Sequence, residues 1–530
     1  MTASDSTLRN EPKQRSSKAS SSLWSVATPL LIAGALASVG LDDQPGDILV
    51  LKDGRIIDGF EMEQADGHVI VQLEAGNIEI NDNLVDALLE KDKEISFVPQ
   101  NSEETEKLEQ GLVWYEGRWT KLRTATKKIQ KSVDGRIKQA EEDKQHEMWK
   151  DRYITETKYF EWQHTTPLGT TERYIDACDA YYEIFKKDWK IKRDKKKKKL
   201  PINFYTDRKE FQRGAGGGGG ALAYFRFVEP YDLCAFYDRL DPQFTEQVLF
   251  HELGHYLHKL IDEDFKYPHW PGESLSEYYG GAKWDPATKK LEVGMIHNGR
   301  LATIKREIGD GKKIDLREMI TTKGFEDYTW GWAFVHMLMN DKQYAKKFKK
   351  FFLGLATDKT VKRTRASFNL KFVEGEEVLR FFMECMDLED MDDLRELQTQ
   401  WYDYITDVLE FTGENALIWE AKTASSLGEK KRARELYEKA FKEDMESPLA
   451  KAHFDYAQLL RSTSNKKDRA LHLRKAVEKA PLTAEYRFTL GQELSRSSDK
   501  DAKAEGEKMV AIAIELDPYI TQSILFLDFD

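Results

Sequence analysis

His251-Glu252-Leu253-Gly254-His255 lies within residues 241–281, and its reading decides how the middle of this 530-residue chain folds. Asp241 is a helix cap and Pro242 suits a first helical turn. Phe244, Val248 and Leu249 carry an apolar face into the motif. Two histidines four apart stand one turn from each other on a single helical face. Both imidazoles therefore reach one Zn2+ at about 2.0–2.1 Å. Glu252 lies between them on the same side. It is placed to take a proton from a water that the metal acidifies towards a pKa of about 7. The other faces of the helix are apolar, so the helix is buried on one side.

A zinc site that does chemistry takes three protein ligands and leaves a fourth position open. His258 lies on nearly the same face, but a further turn away, and three side chains spread over two turns do not converge on one ion. Nothing in the sequence orients His269. Glu273 follows His255 by 18 residues, and Pro271 suits the start of its helix. Glu273 and Glu277 share one face of that helix. One carboxylate can bind the metal, and the other can accept the distal N–H of a ligand histidine. Glu273 is the expected third ligand. The metzincin arrangement needs glycine at 258 and histidine at 261; this chain has His258 and Ile261.

The histidine motif followed by Trp270, Glu273, Glu277 and Tyr278 resembles the gluzincin zinc metallopeptidases, specifically the peptidase-MA-like bacterial proteins. One branch of these is a domain family of unassigned function. Ser274 and Ser276 stand where that pattern has glycine and alanine, and both are small enough to preserve helix packing. The resemblance spans about residues 150–410, with a domain expected at 152–410. It implies an α+β catalytic domain with one Zn2+ per chain held by His251, His255 and Glu273. It further implies Glu252 as general base, Glu277 orienting His251, and Tyr328, at the start of a helix carrying Gly331, beside the oxyanion. The activity implied is peptide-bond hydrolysis, with the substrate extended along an edge strand at residues 233–238. The glycine-rich segment 214–220 is expected to be a mobile loop next to the site. It is not a phosphate loop, because no Gly-Lys-Ser/Thr follows.

Outward from this centre the chain changes character. Residues 47–89 alternate apolar and polar positions around Asp53-Gly54 and Asp66-Gly67, which reads as hairpins in a small all-β module at 41–120. Trp114 to Trp119 reads as a further hairpin. Residues 121–151 are rich in Lys, Glu, Gln and Arg and predict a solvated helical linker. Residues 186–199 are strongly basic and read as a solvated loop. Residues 414–520 predict an all-α array. Gly428, Ala433, Tyr437 and Ala440 fall at tetratricopeptide-like offsets, and Ala440, Ala476 and Ala513 recur at steps of 36 and 37 residues. Such arrays commonly bind peptides or partner proteins.

Residues 1–40 read as a signal peptide. Arg9, Lys13, Arg15 and Lys18 precede an uncharged stretch at 23–39, too short to span a bilayer, and Ala35-Leu36-Ala37 suits cleavage. The expected location is periplasmic or secreted, or anchored by an uncleaved signal; no other segment is expected to span a membrane. The net charge of −12 argues against a general nucleic-acid binder. The three cysteines, Cys178, Cys234 and Cys385, cannot make a disulfide framework and read as buried apolar residues. The rival to an exported metallopeptidase is a non-catalytic scaffold that binds proteins through its repeats, with a structural or absent metal. Glu252 argues against it, since a structural site has no use for a base. A metal-dependent hydrolase of non-peptide amides differs only in substrate.

Overall fold

The computed structural model describes residues 47–90, 95–99, 101–191, 198–215, 221–324, 327–365, 370–413, 415–446 and 448–521. The expected signal at 1–40 lies outside these residues. So do 192–197 of the basic run and 216–220 of the glycine-rich segment.

Alternating residues give six short strands between Ile48 and Leu89, arranged as two three-stranded sheets. Gly54 and Gly67 have φ of +80° and +77°, which the two Asp-Gly turns require and a side chain would strain. Leu49, Leu51, Val69, Val71, Ile78 and Ile80 form the module's core. The hairpin at Leu112–Tyr115 and Arg118–Lys121 sets Trp114 opposite Trp119, with Trp114 56% exposed. The helix Leu122–Gln145 is not a bare linker. Its Val133, Ile137 and Ala140 pack against Ile48 and Leu89. Its buried Asp143 accepts hydrogen bonds from Tyr153 Oη at 2.9 Å and from the backbone N–H of Leu168 at 3.1 Å. The rest of the helix is largely exposed, as its many charged residues predict.

The middle of the chain is mixed α/β. Its five-stranded sheet runs in the order Ala223–Phe225, Leu233–Phe236, Leu200–Tyr205, Phe160–His164, Tyr153–Glu156. The three inner strands are parallel and the two outer ones antiparallel to their neighbours. Leu233–Phe236 is therefore not the edge expected from its position before the motif helix. Ala223–Phe225 pairs along its outer side and occupies the edge. The helix Leu168–Asp188 buries Tyr174, Cys178, Tyr181, Tyr182 and Phe185 along one stripe. These residues join one large core running from Tyr159 to Leu409. All three cysteines are buried and free.

Six helices follow from Ala416 to Leu516, and consecutive ones pair. Small residues set the spacing: a Cβ on Gly491 would stand 2.7 Å from the Gly506 carbonyl oxygen. Ala433, Ala457, Ala476 and Ala513 are fully buried. The last helix also completes the N-terminal β core. Ile512 packs among its strands, and the Glu515 carboxylate accepts the N–H groups of Glu74 and Ala75 at 3.1 and 2.8 Å. Ile512→Ala is expected to destabilise the chain by about 2–5 kcal/mol, read as a lower urea midpoint. Among the described residues no helix is long and apolar enough to cross a membrane.

Candidate metal centre

The motif helix runs Pro242–Lys259. The Asp241 side chain caps it by accepting the Phe244 N–H at 3.0 Å, with Pro242 in the first turn. A second helix, His269–Gly280, packs across it. The contact is close because a Cβ on Gly254 would meet Ser276 Oγ at 2.8 Å and Ser276 Cα at 3.2 Å. A third helix, Tyr328–Asn340, approaches the second at Gly331, where a Cβ would fall 2.0 Å from Ser274 Oγ. Ser274 and Ser276 are thus the residues on which the three helices meet.

This packing brings three ligand atoms together. Glu273 Oε2 lies 3.3 Å from His251 Nε2 and 3.2 Å from His255 Nε2, and the two Nε2 atoms are 3.3 Å apart. A tetrahedron with bonds of about 2.0–2.1 Å has edges of about 3.3–3.4 Å. The triangle therefore matches one face of a tetrahedral zinc site, with nitrogen, nitrogen and oxygen donors of the kind that ion takes. The residues present fit the metal, and these three form the one such cluster among the described residues.

Polar groups stand beside both imidazoles, although His251 Nδ1 is not aligned for a hydrogen bond. His251 Nδ1 stands 3.1 Å from Glu277 Oε1, and His255 Nδ1 is 3.4 Å from Ser276 Oγ. Glu277 is itself gripped by Arg300, whose Nε donates to Oε2 at 2.8 Å and whose Nη2 donates to Oε1. His297 Nε2 lies 4.0 Å from Glu277 Oε2. Burial opposes the Glu277 charge, but His251 and Arg300 hold its carboxyl well below the usual range. Burial likewise opposes the Glu273 charge, and His255 and His251 hold it down. Burial pushes His297 down to about 4, so it faces Glu277 as a neutral ring.

Glu252 is half-buried on the motif helix, and among the described residues no ion pair or hydrogen bond engages its carboxylate. Tyr328 opens the third helix, its ring centroid 6.0 Å from that of His251. His269 Nε2 is 3.7 Å from Glu273 Oε1 and outside the triangle. His258 contributes no donor atom to the triangle: its buried ring packs near Phe352 and Tyr267 at centroid distances of 5.0 and 5.5 Å. Neither a scan against protein families nor a search of curated proteins finds a match to this chain.

Sequence reasoning missed Arg300 and His297. His297 caps a separate helix, Asn298–Gly309, and Arg300 lies in its first turn; no local spacing ties them to Glu277, which precedes Arg300 by 23 residues. Arg300→Met is expected to weaken Zn2+ binding roughly tenfold through the loosened Glu277. Competition against a chromogenic chelator measures this; an unchanged constant would show that Glu277 holds its place unaided.

Proposed function

We propose that this chain is an exported, zinc-dependent metallopeptidase of the gluzincin type, with His251, His255 and Glu273 holding one Zn2+. The observation that carries this reading is the donor triangle, together with an unengaged glutamate one residue along the motif helix. When bound, zinc supplies Lewis acidity to a water and to the scissile carbonyl. Glu252 takes the water proton and returns it to the leaving amine. Glu277, held by Arg300, keeps His251 in the tautomer that presents Nε2. Tyr328 offers its hydroxyl where negative charge grows on the carbonyl oxygen. The outer side of Ala223–Phe225 takes the extended substrate as an added strand, because Leu233–Phe236 is already paired on both sides.

The N-terminal residues 1–40 act as the export signal in this reading. The C-terminal helix pairs are tetratricopeptide-like and present a surface for a partner protein. The deciding experiment is a peptide-library digest by the full chain, with and without chelator. Cleavage that chelator abolishes and zinc restores is the expected result. A zinc-loaded chain that cuts no peptide returns the protein to the scaffold or non-peptide amidase readings.

A further inference from the structure

A pocket beside the donor triangle is lined by His255 and Glu273, by the rings of Phe227, Phe265 and Tyr267, and by His258 and Lys259. Three of its polar groups lack what burial normally demands. Lys259 is only 4% exposed, yet among the described residues no carboxylate lies within ion-pair distance of it. Its ammonium donates to the Glu263 carbonyl at 3.0 Å. The neighbouring carboxylates Asp262 and Asp264 pair instead with Lys371, at 3.1 and 3.8 Å. His258 Nε2 and Tyr267 Oη are both buried without a hydrogen-bond partner. Buried charges are ordinarily paired and buried polar atoms hydrogen-bonded.

All three groups can donate: the ammonium, the phenol, and His258 in its Nε2–H tautomer. The matching ligand is acceptor-only and negative. A carboxylate fits, with two oxygens and several lone pairs. A neutral amide would leave the lysine without a carboxylate in direct contact, and a cationic side chain would be repelled by it. The flat rings of Phe227, Phe265 and Tyr267 suit the carbon stem that carries such a group. Burial also pushes the Lys259 ammonium below the ordinary lysine range, and the more distant charges of Asp264, Glu263 and Asp262 offset this only in part.

We propose that this pocket is a carboxylate-binding subsite that selects substrates carrying an acidic side chain or a free chain end close to the attacked bond. The inference rests on the peptidase reading of the same site, and its test needs no turnover. The probes are capped alanine pentapeptides with a central Glu or Gln, and plain alanine pentapeptides with a free or amidated C-terminus. Their binding to zinc-loaded, full-length Glu252→Gln protein is measured by calorimetry.

In at least one pair the carboxylate form is expected to bind about tenfold more tightly than its neutral twin. The Glu/Gln pair reads a side-chain source, and the free/amidated pair a chain-end source. Adding Lys259→Met is expected to bring that ratio to within about twofold of unity, and Tyr267→Phe to lower it about threefold. Ratios near one in both pairs overturn the proposal. So does a preference that survives Lys259→Met, since the carboxylate is then met elsewhere. Should Lys259→Met fail to fold, Tyr267→Phe removes a single hydroxyl, and an unchanged ratio there overturns it equally. Failure of the parent chain to cleave peptides bears on the peptidase reading alone.

Discussion

Glu252→Gln is expected to bind one Zn2+ per chain as the parent does and to lose peptide cleavage by about 10²–10⁴-fold, the usual worth of a positioned acid–base group. Glutamine has nearly the same size and remains half-buried, so the helix and its two histidines keep their places. It cannot accept a proton from water, nor return one to the leaving amine. Single-turnover assays on the best peptide from the library digest, with zinc content measured on the same sample, check both halves. A variant that cleaves as fast as the parent removes Glu252 from the mechanism and requires a different group to take the water proton.

His255→Ala is expected to abolish stoichiometric zinc binding and, with it, all cleavage. The triangle has no spare donor to replace the lost nitrogen. His269 Nε2 reaches Glu273 Oε1 only at 3.7 Å, and His258 sits in an aromatic cage. The substitution also leaves Glu273 facing a single imidazole, so the remaining pair no longer closes a tetrahedral face. Metal analysis after dialysis reads the loss directly. Equal metal content in parent and variant would place the ion somewhere other than this triangle. A matching loss in Glu273→Ala would assign the third ligand; zinc retained by Glu273→Ala but lost by His255→Ala would instead point to His269 as donor.

Much of the site is legible along the chain because helical geometry is local. Four residues make one turn, so His251 with His255, and Glu273 with Glu277, share faces whatever surrounds them. The cap at Asp241, the Asp-Gly turns and the stripe on Leu168–Asp188 rest on equally short-range rules. What the sequence leaves undecided lies where partners are distant. The edge of the sheet is set by a three-residue strand, Ala223–Phe225, too short to announce its place. The charged helix Leu122–Gln145 is held by apolar positions that matter only once Ile48 and Leu89 stand beside them. Arg300 shows no motif at all; its place beside Glu277 and over the Tyr328 ring appears only in the folded chain.

By itself, then, the order of residues determined which side chains share a turn, where helices and hairpins start, and which histidines and glutamates stand four apart on common faces. Only the tertiary structure decided that the two pairs face each other across Gly254 and Ser276, with donor atoms 3.2–3.3 Å apart. It alone decided that Arg300 backs Glu277, and that Lys259, His258 and Tyr267 line one pocket. The division has one cause. Backbone hydrogen bonding ties neighbours at fixed spacing, whereas contacts between distant segments follow from the packing of a whole core, in which no single residue carries the information.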